Sequence, residues 1–117
     1  MMTPEIQTRA SLLFAALGYP VRLRIVQALI EQPRSVGDVS IKLGILQSSA
    51  SQHLSVLSRA GIVKKEQQGA QHVYSIRGPR IKLILQLIEE FCSVHGLYGD
   101  DPVDEADERQ GSSPENA

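Results

Sequence analysis

The chain contains no tryptophan, and aromatic residues make up only 4% of its 117 residues. Aliphatic side chains must therefore fill its interior, which favours packed helices. A chain of this length has room for one ordinary domain. Its apolar share of 42% and charged share of 21% are typical of a globular protein and argue against disorder throughout the chain.

Cysteine and long apolar runs are also scarce. Cys92 is the single cysteine, so one chain can form neither an internal disulfide nor a cysteine-rich metal cage. No run of about 18 apolar residues exists, and the start, "MMTPEIQTRASLLF", lacks the basic and long apolar regions of a signal peptide. We therefore expect a cytoplasmic protein that does not bind a membrane, and we exclude zinc-finger and disulfide scaffolds.

The net charge of −1 hides an uneven distribution. Residues 1–99 hold eleven Lys and Arg against six Asp and Glu, whereas residues 100–117 hold one Arg against seven acids. The second segment is also nearly free of large apolar groups, so it cannot offset the entropy of ordering. We predict one domain over residues 1–99 and an acidic, disordered tail over residues 100–117.

Apolar spacing and breaker residues predict a mainly α fold with a small β-hairpin. Helices are expected over about 4–17 and from Pro20 to Pro33, and then over "SVGDVSIKLG", which begins at Ser35 with a capping-box arrangement. A fourth helix follows a short turn. Strands near Ile62–Glu66 and His72–Arg77 are joined by a loop around "QQGA", and a last helix runs over about 79–96. The third and fourth helices form a helix-turn-helix pattern.

The fourth helix, "LQSSASQHLSVLSRAG", has two unlike faces. Ala50, Leu54 and Leu57 share one face, at i, i+4 and i+7. The opposite side, here named the polar face, carries Gln47, Ser48, Ser51, Gln52 and Ser55. An isolated polar stripe is usually a solvated surface, but one that directly follows a tight helix turn is more often a reader of the DNA major groove.

Two sequence segments resemble the ArsR/SmtB family of winged helix-turn-helix repressors. "YPVRLRIVQAL" is similar to the second-helix signature of that family, and "SSASQHLSVLSRAGIVKKEQQGAQHVYSI" is similar to its recognition helix and wing. The resemblance covers about residues 8 to 96. It implies a winged helix-turn-helix that dimerises through its first and last helices and represses transcription from an inverted-repeat operator in double-stranded DNA.

Several side chains are predicted to contact DNA. Gln47 and Gln52 can read adenine through their amides, and the serines can bond base edges or phosphates. His53 is expected to pack partly or to contact phosphate rather than read a base. The wing tip is uncharged, which disfavours deep minor-groove insertion, and the surrounding cations, together with Arg22, Arg24 and Lys42, are expected to attract phosphate. The full predicted set is Gln47, Ser48, Ser49, Ser51, Gln52, His53, Ser55, Arg59, Lys64, Lys65, Gln71 and Arg77.

The last helix carries two apolar stripes, one through Ile81, Ile84, Ile88, Phe91 and His95 and the other through Leu83, Leu87 and Val94. Because a chain this small offers one core, we predict that the second stripe and the first helix pack against another copy in a symmetric dimer. The alternative is that one compact monomer buries both stripes.

No metal or cofactor site is predicted. Where many relatives carry a Cys-x-Cys-Asp metal-binding motif, this chain reads "RSVGDV". Ser35 and Gly37 stand at the positions of the two cysteines, and only Asp38 of the motif is present. The last helix lacks the Asp and first His of the other familiar site. Cys92 and His95, at i and i+3, could contribute to an atypical inter-subunit sensor site, although a lone cysteine on an apolar helix more often serves packing. Any effector stays unknown.

Two other classes of function were weighed against a DNA-binding repressor. A winged-helix protein-interaction module would use the basic surface to bind an acidic partner. An enzyme is disfavoured, because Ser51 and His53 lie on different helix faces and no nucleophile elbow, phosphate loop or metal word is present. No catalytic residue is predicted.

Overall fold

The computed structural model describes residues 1–94, so His95 and the predicted acidic tail lie outside the described residues. The elements are α1 (Pro4–Leu17), α2 (Pro20–Glu31), α3 (Val36–Leu43), α4 (Gln47–Arg59), β1 (Val63–Gln68), β2 (Gln71–Ile76) and α5 (Pro79–Val94). Five helices with one hairpin, in the order of a winged helix-turn-helix, confirm the predicted fold class.

Local side-chain chemistry sets the helix boundaries as predicted. Ser35 Oγ accepts from the Asp38 N–H at 3.1 Å, and the Asp38 carboxylate accepts from the Ser35 N–H at 3.3 Å, which forms the expected capping box. Gly44 ends α3 with a φ of +70°, a conformation that glycine adopts without steric cost. Ser40 Oγ then donates to the Ile45 carbonyl at 2.7 Å, which fixes the turn that leads into α4.

The core lies where α2, α3, α4 and the hairpin pack on one another. Its most deeply buried side chains are aliphatic, as the scarcity of aromatics predicts. The eight largest that are less than 2% exposed are Ile25, Val26, Leu29, Val39, Leu54, Leu57, Ile62 and Val63. Burying an aliphatic side chain of this size stabilises the fold by about 1.5–3 kcal/mol relative to its exposure, so this cluster holds the helix-turn-helix in place.

The hairpin is antiparallel, and its ladder is longer than the sequence predicts. Gln68 pairs with Gln71, so the loop consists of Gly69 and Ala70 alone rather than the four residues of "QQGA". The positive φ of Gly69, +62°, permits so tight a turn. Arg34 adds a bridge that the sequence did not predict, because its N–H and carbonyl exchange hydrogen bonds with Tyr74 at 3.0 and 2.8 Å.

The chain divides into two units, of which the first is Met1–Ile81 and the second begins at Lys82. The first contains α1 to α4 and the hairpin, and the second contains most of α5. Within the described residues, no single helix is long and apolar enough to cross a membrane. Helices α1 and α2 have the necessary length and apolar composition only when taken as a pair, and the pair is bent by 95°.

Candidate nucleic-acid interface

Helix α4 is anchored on one side and open on the other. Ala50, Leu54 and Leu57 are each 0% exposed. All five residues of the polar face, Gln47, Ser48, Ser51, Gln52 and Ser55, are exposed, and Ser49 beside them is half-buried. The predicted division into an apolar and a polar face is therefore present. Because the buried side holds the helix against the core, amides and hydroxyls project from a rigid element.

The start of α4 has no capping side chain. Its N-cap residue is Leu46, which has extended backbone and no side-chain hydrogen bond to the first turn. A helix N-terminus leaves several backbone N–H groups without an intrahelical partner, and its dipole favours a nearby anion. The first turn also contains no acidic residue. The end of α4 that enters the groove in helix-turn-helix proteins is thus favourable to phosphate.

The predicted cations differ in what they contact within the described residues. The Arg59 guanidinium donates to Ser55 Oγ at 2.9 Å, so these two members of the predicted set are bonded to each other. Lys64 lies 3.4 Å from the Glu66 carboxylate, and Lys65 lies 5.9 Å from the centre of the Tyr74 ring. Both partners of the Lys64 pair are about half exposed, where such a pair is worth little. Arg77, at the end of the hairpin, is exposed.

The wing offers polar groups but little charge at its tip. Gln71 is exposed and opposite Gln68 at the last position of the ladder. The amide of Gln67 donates to the Gly69 carbonyl at 3.1 Å, which occupies that side chain in supporting the turn. Lys64 and Lys65 lie further along the same strand, nearer to α4 in the chain. The wing therefore has its positive charge on the strand rather than at the tip.

His53 belongs to a network that joins three helices. The Arg22 Nε donates to His53 Nδ1 at 3.2 Å, and the Arg22 Nη1 donates to the carbonyls of Ala16 and Ala15 at 3.1 and 3.5 Å. The guanidinium also lies over the ring of Tyr19, 4.1 Å from its centre. His53 is half-buried, as predicted, but its partner inside the fold is an arginine side chain 31 residues earlier. Sequence spacing carries no signal for such a contact.

Three other cations that precede α4 are similarly engaged. Arg24 donates to the Leu43 carbonyl at the end of α3 at 3.1 Å, and Lys42 lies 3.5 Å from the Glu31 carboxylate. Arg34, which is 13% exposed, bonds to the Ala28 carbonyl and to Glu31. The sequence assigned Arg22, Arg24 and Lys42 to phosphate attraction, whereas the structure gives each a partner within the protein.

No group of three or more His, Cys, Asp or Glu side chains that could hold a metal ion occurs within residues 1–94. Asp38 participates in the capping box, and Cys92 is exposed. The sensor site suggested at Cys92 and His95 includes a residue outside that range, and it stays a prediction.

Comparison with known proteins identifies the family to which this arrangement belongs. The sequence profile of the arsR family of bacterial regulatory proteins matches residues 19–65, which span α2, α3, α4 and the start of the wing. A biofilm growth-associated repressor of Xylella fastidiosa is 35% identical over 82 residues, 69% of this chain and 72% of that protein. The chain belongs to the arsR family. The residues that carry the assignment include the whole helix-turn-helix.

Two further regulators are similar in sequence. The transcriptional activator HlyU of Vibrio cholerae is 31% identical over 90 residues, 77% of this chain and 78% of that protein. An HTH-type transcriptional regulator of Mycobacterium tuberculosis is 42% identical over 73 residues, which cover 62% of this chain. The match spans 64% of the length of that relative.

Solved structures agree with the fold. The crystal structure of the M. tuberculosis regulator superimposes with a TM-score of 0.70 and 34% identity, covering 79% of this chain and 92% of that one. A homodimeric winged helix-turn-helix domain from Mycobacterium bovis has a TM-score of 0.75, with 83% and 90% coverage. At 22% identity, the second likeness supports the fold alone.

Proposed function

We propose that this arsR-family chain is a sequence-specific DNA-binding repressor that acts as a homodimer on an inverted-repeat operator. One observation carries the proposal: α4 follows the turn after α3, buries Ala50, Leu54 and Leu57 completely, and exposes a face of amides and hydroxyls. Such side chains can distinguish base edges in the major groove. The function requires no catalysis, and it places the protein in the cytoplasm with its operator.

The DNA-facing side chains of the proposal are drawn from those predicted from the sequence. Gln47 and Gln52 read bases, and the serines of the polar face bond base edges or phosphates. Arg59, Lys65 and Arg77 supply phosphate contacts. Among residues 1–94, none of these three cations has a carboxylate within 4.0 Å, so each is available to an anion.

Apolar side chains on the first and last helices support the dimer. On α1, Leu12 is 58% exposed and Phe14 is 63% exposed. On α5, Leu83 and Leu87 are 53% and 57% exposed and lie one turn apart. Large apolar residues clustered on two helices favour burial against a partner surface. A second copy provides that surface, and to read an inverted repeat the two α4 helices of the dimer must lie about 34 Å apart, one turn of DNA.

Repression is proposed over activation because a dimer that covers an operator blocks polymerase without any further contact. The names of the relatives include both an activator and repressors. The position of the operator relative to the promoter decides between the two outcomes. In a reporter strain, deletion of the gene should raise expression from the bound promoter, and a fall in expression would indicate activation instead.

Binding itself is tested with the purified full chain. Duplexes selected from genomic DNA should share an inverted repeat with half-site centres about 10 base pairs apart. Fluorescence anisotropy across a salt series should give a log-log slope of about −0.9 for each phosphate contacted. Failure to enrich any duplex, together with binding to an acidic protein partner, would favour the protein-interaction module.

A further inference from the structure

The contact between Arg22 and His53 defines the chemical state of the imidazole. A guanidinium has only N–H donors, so the Nδ1 atom that receives the Arg22 Nε–H must offer a lone pair. A neutral imidazole with an unprotonated Nδ1 has its proton on Nε2. In this arrangement, His53 is uncharged and presents an N–H donor at its far end.

That far end is accessible. Within residues 1–94, Ser58 Oγ is the one side-chain polar atom that is buried without a hydrogen-bond partner. His53 is half-buried, and its Nε2 makes no hydrogen bond in the described part of the chain. Since Nε2 is not among the buried atoms without a partner, at least part of its surface reaches solvent. A fixed donor on the recognition helix therefore lies open to an acceptor from outside the protein.

The position of His53 favours a phosphate as this acceptor. Its neighbour Gln52 belongs to the fully exposed polar face, whereas His53 is tied back to α2 at the flank of α4. A side chain held at the flank of a helix in the major groove meets the sugar-phosphate backbone at the groove edge more readily than the base edges. The phosphate oxygens there accept hydrogen bonds and have no donor of their own.

We propose that His53 binds an operator phosphate as a neutral Nε2–H donor and that Arg22 is the positioning residue that holds it in this state. This inference rests on the proposed function. Arg22 is suited to the role because the Ala15 and Ala16 carbonyls and the Tyr19 ring hold its guanidinium from the other side. The contact adds affinity without a positive charge, so it releases no counterion.

Two substitutions of His53 test the roles of its two nitrogens separately. The amide of asparagine lies near the position of Nδ1, and the amide of glutamine lies near that of Nε2. His53→Asn should therefore keep the partner of Arg22 but lose the outward donor, and its operator affinity should fall about tenfold or more, as for a lost hydrogen bond to a charged group. His53→Gln should keep most of the affinity. Neither variant should change the slope of affinity against salt.

A modified duplex identifies the acceptor. Replacing single phosphates of the operator by uncharged methylphosphonates should weaken binding of the wild-type protein at every contacted phosphate, and in each half-site one of these positions is the replacement that removes the acceptor of His53. The same replacement should have no further effect on His53→Asn. If that variant keeps wild-type affinity, or if its salt slope falls by about 0.9 per half-site as for a lost cation, the inference is overturned.

The role of Arg22 is tested in the free protein by long-range ¹H–¹⁵N NMR of His53. The wild-type protein should show one tautomer, with Nδ1 unprotonated and Nε2 protonated. Arg22→Met removes the donor and should shift both nitrogen signals toward an average of the two tautomers. The matched control is Arg24→Met, which loses a bond of 3.1 Å to the Leu43 carbonyl but leaves His53 untouched.

The possible results are distinct. A wild-type His53 with a protonated Nδ1, or identical His53 signals in Arg22→Met and the wild type, would refute the positioning role. The wild-type spectrum gives this answer even if Arg22→Met does not fold. Failure of the proposed function would give a different result from failure of this inference. The wild-type protein would then bind no duplex specifically, while the NMR results would be unchanged.

Discussion

Replacement of Leu83 and Leu87 by alanine should dissociate the proposed dimer without unfolding α5. The two side chains are 53% and 57% exposed in the single chain, so just over half of each is available for burial against a second copy. Each change removes three carbon atoms at about 0.8 kcal/mol apiece when fully buried, or about 1.3 kcal/mol for the fraction still exposed. Summed over both sites in both protomers, the loss of dimerisation free energy is at most about 5 kcal/mol per dimer. This loss is equivalent to more than three orders of magnitude in the dissociation constant.

Sedimentation velocity over a range of protein concentrations measures this constant directly. Alanine is the best helix former, so a weaker dimer would not reflect lost helix propensity, and far-UV circular dichroism checks that helicity is retained. Ile41→Ala is the matched control, because Ile41 is 81% exposed on α3, which is not one of the helices assigned to the dimer. The same self-association in the double variant, the control and the wild type would refute the assignment of this stripe to the dimer.

Two further predictions concern the recognition helix and its support. Gln52→Ala should weaken operator binding by about 1–3 kcal/mol and random-sequence binding far less, since it removes a base contact. Fluorescence anisotropy on both duplexes measures the two losses, and substitution of Gln27, which is exposed on α2, is the control. Equal losses on both duplexes would argue against base reading. Ser35→Ala should lower the free energy of unfolding by about 1 kcal/mol through loss of the bond to the Asp38 N–H. Urea unfolding measures that change. The control is Ser11→Ala, because the Ser11 hydroxyl bonds to the Gln7 carbonyl within α1 and caps no helix. Similar unfolding midpoints for the two variants would contradict a capping role.

The helix-turn-helix was predictable because its signals are local. Ser35 and Asp38 are three residues apart, and the buried face of α4 repeats at helical spacing, so neighbouring residues alone define each element. The length of the wing ladder was not predictable in this way. Exposed glutamines have no strong preference between strand and loop, and the ladder extends because its partner strand and a two-residue turn at Gly69 are available. The bridge of Arg34 to Tyr74 joins residues 40 positions apart, which no periodicity reports.

The contacts of individual arginines were likewise not predictable from the sequence. In the sequence, Arg22, Arg24 and Arg77 are equivalent cations in a basic domain. In the structure, the first two lie beside helix-end carbonyls, which lack intrahelical partners and accept N–H donors readily. Arg77 is exposed, beyond the end of β2. Net charge alone therefore does not show which cations also hold helices together, and the arginine bonded to His53 is proposed to act on DNA through the state of an uncharged neighbour.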